Sequence, residues 1–272
     1  MRFAWSLLLC FSAFFPAAAS AQNYPTGEIF RPLLADPVEP RFFAGLLNAD
    51  IRGEQITIWS VGVGTNFGLH RWPSGTPGEG WQIGVLGSVF SQFNLDASAD
   101  DLLNSDFYIG LPLTYRRGAL SARARILHQS SHLGDELILS GVGPQRVDLS
   151  VEAVDLVLAW ERLGWRPYAG LYYLLSGHPD DVARSGVQLG LDYTGRRPIF
   201  GARLVGGVDV KAFDETGWKA SVSAKVGVEF GRPWPERGGI TLLLELYDGL
   251  APFGQFYRDG LTYYGASIQL DF

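Results

Sequence analysis

Cysteine is almost missing from this chain of 272 residues: Cys10 stands alone, so neither a disulfide framework nor a cysteine-built zinc or iron–sulfur site can form. Charge is sparse as well. Asp, Glu, Lys and Arg make up 18% of the residues and leave a net charge of -6. The clustered Lys and Arg that a phosphate backbone demands are lacking, which excludes nucleic acid as the main partner. Beyond residue 21 no run reaches the ~18 apolar residues of a transmembrane helix, so none is expected there. What the chain has instead is 47% hydrophobic residues, 13% aromatics and 34 glycines. That is too apolar for a disordered chain. Glycine with aromatics favours strands and turns, in a fold that is either packed or embedded in a membrane.

The first residues read as a secretory leader, 1–21. Arg2 supplies the positive start, Phe3 to Phe15 the apolar run, and Ala19-Ser20-Ala21 the small-residue cleavage site. Cys10 lies within the apolar run and leaves with it. The mature chain is expected to begin at Gln22 and to end in the periplasm, the medium or the outer membrane.

From Phe42 onward, segments of about ten residues alternate apolar and polar positions, the pattern of transmembrane β-strands. In Ser105 to Arg116 one face is Phe107, Ile109, Leu111, Leu113 and Tyr115, and the other is Asp106, Tyr108, Gly110, Pro112, Thr114 and Arg116. From Trp218 to Phe230, Trp218, Ala220, Val222, Ala224, Val226, Val228 and Phe230 oppose Lys219, Ser221, Ser223, Lys225, Gly227 and Glu229. A soluble sandwich has apolar faces too, but it keeps its charges in water. Here the second face is rich in glycine and carries both charge signs, which suits a hydrated or salt-bridged lumen.

Strand cores are expected at 42–50, 56–71, 81–93, 105–116, 119–132, 146–161, 165–177, 185–194, 199–212, 218–230, 239–247 and 261–272. The expected fold is therefore all-β: a single transmembrane antiparallel barrel of about twelve strands over residues 42–272, ending in Phe272. Connections support it, because short links (Arg117-Gly118, Arg162 to Gly164, Gly195 to Pro198) alternate with longer ones (Asn94 to Asn104, Leu133 to Gln145, Gly177 to Arg184, Asp248 to Gly260). Aromatics mark both interfaces. Trp81, Tyr115, Trp160, Tyr193, Phe200, Phe230 and Phe272 are expected on the outward face at the periplasmic ends, and Trp59, Phe107, Tyr173, Trp218 and Tyr264 at the outer ends.

Three stretches carry family resemblances. The last strand, Tyr264-Gly265-Ala266-Ser267-Ile268-Gln269-Leu270-Asp271-Phe272, resembles the signal that outer-membrane barrels present to the barrel-assembly machinery. The segment from Phe30 through Arg31-Pro32-Leu33-Leu34-Ala35-Asp36-Pro37, Val38-Glu39-Pro40 and Arg41 to Phe42 resembles the opening motif of a bacterial family catalogued as a domain of unknown function. So does His128-Gln129-Ser130-Ser131-His132-Leu133-Gly134-Asp135-Glu136. The resemblance implies an outer-membrane location and no established activity. His128-Gln129-Ser130 is also similar to the His-x-Ser-Asn motif of outer-membrane phospholipases and lipid A deacylases, with Ser131 in place of the Asn. That likeness implies a lipid-facing Ser–His pair and a third polar residue that orients the imidazole.

Parity agrees with that placement. Leu120, Ala122, Ala124 and Ile126 share a face that continues to His128 and Ser130, while Ser121, Arg123, Arg125, Leu127, Gln129 and Ser131 share the other. Hairpin register sets His128 near Glu152 and Ser130 near Ser150. Unbroken parity from Trp160 puts Glu152 outside; a β-bulge near Ala153 would turn it inward, and both readings stand. His128, Ser130 and Glu152 are the candidate base, nucleophile and orienting acid, with Ser131 or backbone amides as oxyanion donors. The alternative is a solvated rim.

Inward charges are expected at Arg116, Arg123, Arg125, Asp155, Arg203, Asp209, Lys211, Lys219, Lys225, Glu229 and Glu245, which suit a narrow selective channel or a lumen plugged by ion pairs. Residues 22–41, with their prolines, suit a periplasmic strap or a plug. His132, Asp135 and Glu136 sit at mixed parity across a turn, so no metal site is expected. No cofactor is expected either, although acids in the outer loops suit calcium bridging lipopolysaccharide. The function expected is a structural or narrow-channel barrel among outer-membrane lipids and lipopolysaccharide, with a lipid hydrolase as the alternative.

Overall fold

Period-two alternation does here what it does in any strand: it sends successive side chains to opposite faces. The computed structural model describes residues 21–51, 53–140, 146–231 and 238–271. Residues 1–20, which hold Cys10 and all but the last residue of the expected leader, and the terminal Phe272 lie outside the described residues. A two-residue strand, β1 (Gln22–Asn23), precedes twelve long ones: β2 (Phe42–Ile51), β3 (Glu54–Pro73), β4 (Gly80–Asn94), β5 (Asp101–Arg117), β6 (Leu120–Leu133), β7 (Leu149–Trp160), β8 (Trp165–His178), β9 (Ser185–Thr194), β10 (Ala202–Phe213), β11 (Ala220–Gly231), β12 (Gly239–Leu250) and β13 (Gly260–Asp271). Each pairs antiparallel with its sequence neighbours, and β13 pairs with β2 to close the ring. The short β1 adds to β3. Among the described residues an α-helix, α1 (Asp135–Ser140), lies between β6 and β7.

The packing is inverted relative to a water-soluble barrel. Along β12, Ile240, Leu242, Leu244 and Leu246 are exposed, while Thr241, Leu243, Glu245 and Tyr247 between them are buried. An apolar exterior around a polar interior is stable where the surroundings are hydrocarbon.

Two strands start earlier than the sequence expectation by two or more residues, β3 at Glu54 rather than 56 and β5 at Asp101 rather than 105, and three start later by as much. β7 begins at Leu149 rather than 146, β10 at Ala202 rather than 199, and β11 at Ala220 rather than 218. For the last two the cause is local: Phe200 and Gly201, and Gly217 and Trp218, are consecutive pairs with φ between 52° and 82°, a left-handed conformation that turns the chain and does not extend it. Phe200 and Trp218 are therefore exposed turn residues and not strand-end residues of the aromatic rings.

The interior is filled in two tiers. At the end with the shorter links, Ile29, Phe30, Leu33 and Ala35 are fully buried, with Phe30 and Leu33 packed on Val157, Ala159 and Tyr168. At the other end, Leu103, Leu133, Ala251, Phe253 and Phe256 cluster with Tyr247 and Tyr263, whose rings stack at 5.2 Å. Between the tiers lies a cavity of about 240 Å³ lined by Asp36, Tyr108, Arg125, Tyr172, Lys211 and Tyr257 among others.

Candidate functional site

The outward wall of β6 starts apolar and ends polar. Leu120, Ala124 and Ile126 are exposed there, and His128 and Ser130 follow on the same parity. Register pairs His128 with Ile109 on one side and Glu152 on the other, and Ser130 with Phe107 and Ser150. Along β7 the inward residues Leu149, Val151, Ala153, Val157 and Ala159 are buried without a break in alternation. Glu152 and Ser150 consequently share the outward face of Val154, Leu156, Leu158 and Trp160. Between the two readings left open by the sequence, β7 has the unbroken one.

His128 Nδ1 and Glu152 Oε1 are 3.0 Å apart, with side-chain exposures of 42% and 44%. The second carboxylate oxygen of Glu152 accepts a hydrogen bond from the Ser176 hydroxyl of β8. Sequence reasoning did not find Ser176, because a bulge places it. Ala153 pairs with Leu174 but Glu152 pairs with Ser176, which leaves Leu175 as an extra residue in β8. Below the bulge Leu171 and Tyr173 face outward; above it Ser176 does. Of the two readings left open, a bulge in β7 near Ala153 is absent, and the irregular residue lies in the partner strand β8. Ser130 lies one outward position beyond His128, and its hydroxyl makes no hydrogen bond among the described residues.

The inward residues of the same stretch do other work. Ser131 donates to the buried Asp106, which also accepts from Asn104 Nδ2 (3.1 Å) and from the Gly254 amide (2.9 Å). Gln255 Nε2 donates to the carbonyls of Ser131 (2.8 Å) and Val147 (2.9 Å). The loop 251–259 is thereby tied over the cavity. Ser131 is engaged inside the barrel, so it does not stand beside Ser130 as an oxyanion donor. His132 rests against Phe107 at 5.8 Å, and Asp135 and Glu136 open α1, exposed. No group of three metal-binding side chains occurs among the described residues.

Most of the expected lumen charges are paired. Arg116 meets Glu161 at 3.1 Å, Arg125 meets Asp155 at 2.8 Å, Arg203 meets Glu229 at 3.1 Å and Lys225 meets Glu245 at 3.1 Å. Asp209 accepts from Tyr168 (2.7 Å) and Gln188 (2.6 Å). Two partners come from the N-terminal segment: Arg123 pairs with Glu39, and Lys211 with Asp36 at 2.7 Å. Lys219 is the exception. It precedes β11 in an exposed turn and does not enter the lumen. Sequence reasoning also passed over the buried Arg166–Asp192 pair. The signal was available, since Arg166 shares its parity with the inward Tyr168 and Gly170. Arg166 additionally donates to the carbonyls of Arg31 (2.6 Å) and Pro32 (2.7 Å), and the Leu34 amide reaches Asp192 at 3.3 Å.

The barrel is similar to the outer membrane phospholipase (OMPLA) of Salmonella typhi, solved as a dimer with bound calcium. Identity is 15%, the likeness covers 86% of this chain and 93% of that chain, and the TM-score is 0.54. For outer membrane phospholipase A of Escherichia coli the figures are 12%, 90%, 95% and 0.55. The KdgM porin matches at 8% identity over 85% of this chain and 99% of that chain, with a TM-score of 0.44. At such identities the phospholipase likeness is one of fold, the closed antiparallel barrel. No curated protein matches the chain. Residues 13–272 match the family described as protein of unknown function, DUF1207, and with nearly the whole chain covered, this outer-membrane-type barrel belongs to that family.

Proposed function

We propose that the protein is an outer-membrane barrel that hydrolyses lipid esters, with Ser130 as nucleophile, His128 as general base and Glu152 as the residue that positions the imidazole. The observation that carries this reading is the His128–Glu152 hydrogen bond on the outward wall. Polar side chains on a lipid-facing surface are disfavoured unless they serve a purpose. With Nδ1–H donated to a carboxylate, Nε2 carries the lone pair needed to take a proton. Ser130 Oγ gives its proton to Nε2 and attacks the ester carbonyl, forming a tetrahedral intermediate. The imidazolium returns the proton to the departing alcohol. Water, deprotonated in the same way, then releases the fatty acid and restores Ser130. The fold neighbours named as outer membrane phospholipases support the reading, as does the depth of the site, level with Phe107 and Tyr173.

The test is fatty-acid release from phospholipid and lipopolysaccharide vesicles by refolded protein, with and without calcium, against the Ser130→Ala variant. Release that vanishes in the variant is expected. No release from wild type that migrates as a folded barrel would overturn the proposal. The second reading, a structural or narrow-channel barrel, is favoured in its closed form by the paired and packed interior around residues 28–41.

A further inference from the structure

The turns joining β7 to β8 and β9 to β10 are built alike. Paired backbone hydrogen bonds close each one, at 2.9 and 3.0 Å between Arg162 and Trp165, and at 2.7 and 3.1 Å between Ile199 and Ala202. Both central residues of each have positive φ: Leu163 at 57° with Gly164 at 87°, and Phe200 at 52° with Gly201 at 82°. Turns of this kind select Asn or Asp before Gly, because a left-handed backbone crowds a bulky side chain. Leu and Phe are poor choices here. Packing does not compensate, since Leu163 is 62% exposed, Ile199 67%, and Phe200 completely.

Beside these apolar tips stand arginines. Arg162, Arg196 and Arg197 are exposed, as is Arg117 at the end of β5, and none forms an ion pair among the described residues. Arginines a few residues further in, Arg116, Arg166 and Arg203, all have carboxylate partners. Immediately adjacent is an outward aromatic layer, with Trp160 exposed and Trp165 against Tyr193 at 4.6 Å. Such rings sit at headgroup level. Not every link at this end has that composition: Ser74 to Glu79 holds neither an arginine nor a large apolar residue, whereas the sequence between β11 and β12 holds Arg232, Trp234 and Arg237.

We propose that these two turns anchor anionic phospholipid. The guanidinium groups bind headgroup phosphate, while Leu163, Ile199 and Phe200 enter the boundary between headgroups and acyl chains. A soluble polyanion has no use for solvated Leu and Phe, and a purely apolar partner has none for unpaired arginine. The interfacial layer of an anionic leaflet takes both. Two strained turns carrying the same misfit residue class, side by side, point to selection for what those residues touch.

The experiment places the full chain in vesicles of phosphatidylcholine with or without phosphatidylglycerol and follows thermal unfolding. Phosphatidylglycerol is expected to raise the wild-type midpoint, and the combined Arg162→Gln, Arg196→Gln, Arg197→Gln variant is expected to lose that shift. Phe200→Asn is expected to raise the midpoint in phosphatidylcholine, by restoring a favoured turn, and to shrink the phosphatidylglycerol shift. A second readout uses Phe200→Cys in a Cys10→Ser background, which leaves one thiol for a fluorophore. Quenching by brominated acyl chains is expected, stronger with brominated phosphatidylglycerol. An unquenched label, or an arginine variant with the wild-type shift, would overturn the proposal. So would a Phe200→Asn loss of stability equal in both lipids, which would indicate a protein partner or internal packing.

Discussion

A carboxylate and an imidazole on a lipid-facing wall are tolerated best near its edge. A basic side chain at the midplane of a barrel's apolar band costs about 2–4 kcal/mol and an acid less, but the cost falls to about 0–1 kcal/mol near the interface. Glu152 and His128 stand at that edge, and their hydrogen bond with the help of Ser176 offsets what remains. In the proposed hydrolysis Glu152 touches the imidazole and not the ester, so it positions and does not react. Glu152→Gln preserves shape but removes the charge that fixes the tautomer. The expected loss in kcat is about three to four orders of magnitude, with KM nearly unchanged, measured as fatty-acid release in mixed micelles. A variant with wild-type kcat would remove Glu152 from the mechanism.

Strands and loops carry the next consequences. Leu175 is the extra residue of β8, so its deletion leaves Ala153 opposite Leu174 and Glu152 opposite Ser176. Deleting a residue from a strand ordinarily exchanges its faces. Here the Leu175 deletion is expected to fold and to keep fatty-acid release, whereas deletion of Leu171 should abolish folding; heat-modifiable migration on gels tests both. At the mouth, loop 251–259 is held to loop 179–184 by Arg258 Nε on Asp181 at 2.9 Å and by Tyr257 at 2.8 Å. The hydrogen bond from Arg258 holds the Asp181 carboxyl below its ordinary value of 3.8. A lowered folded value contributes stability above the unfolded pKa, and this is lost as pH falls through the folded one. The loop should stay tied at neutral and mildly acid pH and loosen only below about pH 4. Amide exchange in residues 251–259, corrected for intrinsic rates, measures this. Because the pair is exposed, Asp181→Asn should change global stability little.

For the molecule as a whole, the interior decides whether anything passes. The segment from Ile29 to Arg41 is bound to the wall by Glu39–Arg123, Asp36–Lys211 and the carbonyls that Arg166 holds. Low conductance in planar bilayers is expected of wild type. Arg123→Ala strands a fully buried Glu39, a change that costs about 3–5 kcal/mol where such a pair is broken. Dislodging the segment relieves that cost, so the variant should show openings that wild type lacks. Large, steady wild-type conductance would count against the closed reading.

The architecture was readable from the amino-acid order because a strand's two faces differ by one residue, so Phe107 and Asp106, or Leu244 and Glu245, already declare outside and inside. Loop alternation and strand number followed from the same local rule. His128, Ser130 and Glu152 were legible as neighbours, since hairpin register is counted from a short turn. Ser176 was not, because one unpaired residue across the sheet reverses parity and no local pattern marks it. Nor could chain order show that Asp36 and Glu39 meet Lys211 and Arg123, pairs separated by long stretches of sequence. Burial of charge inside a closed wall selects those partners. Closure is a property of the ring and not of any strand in it.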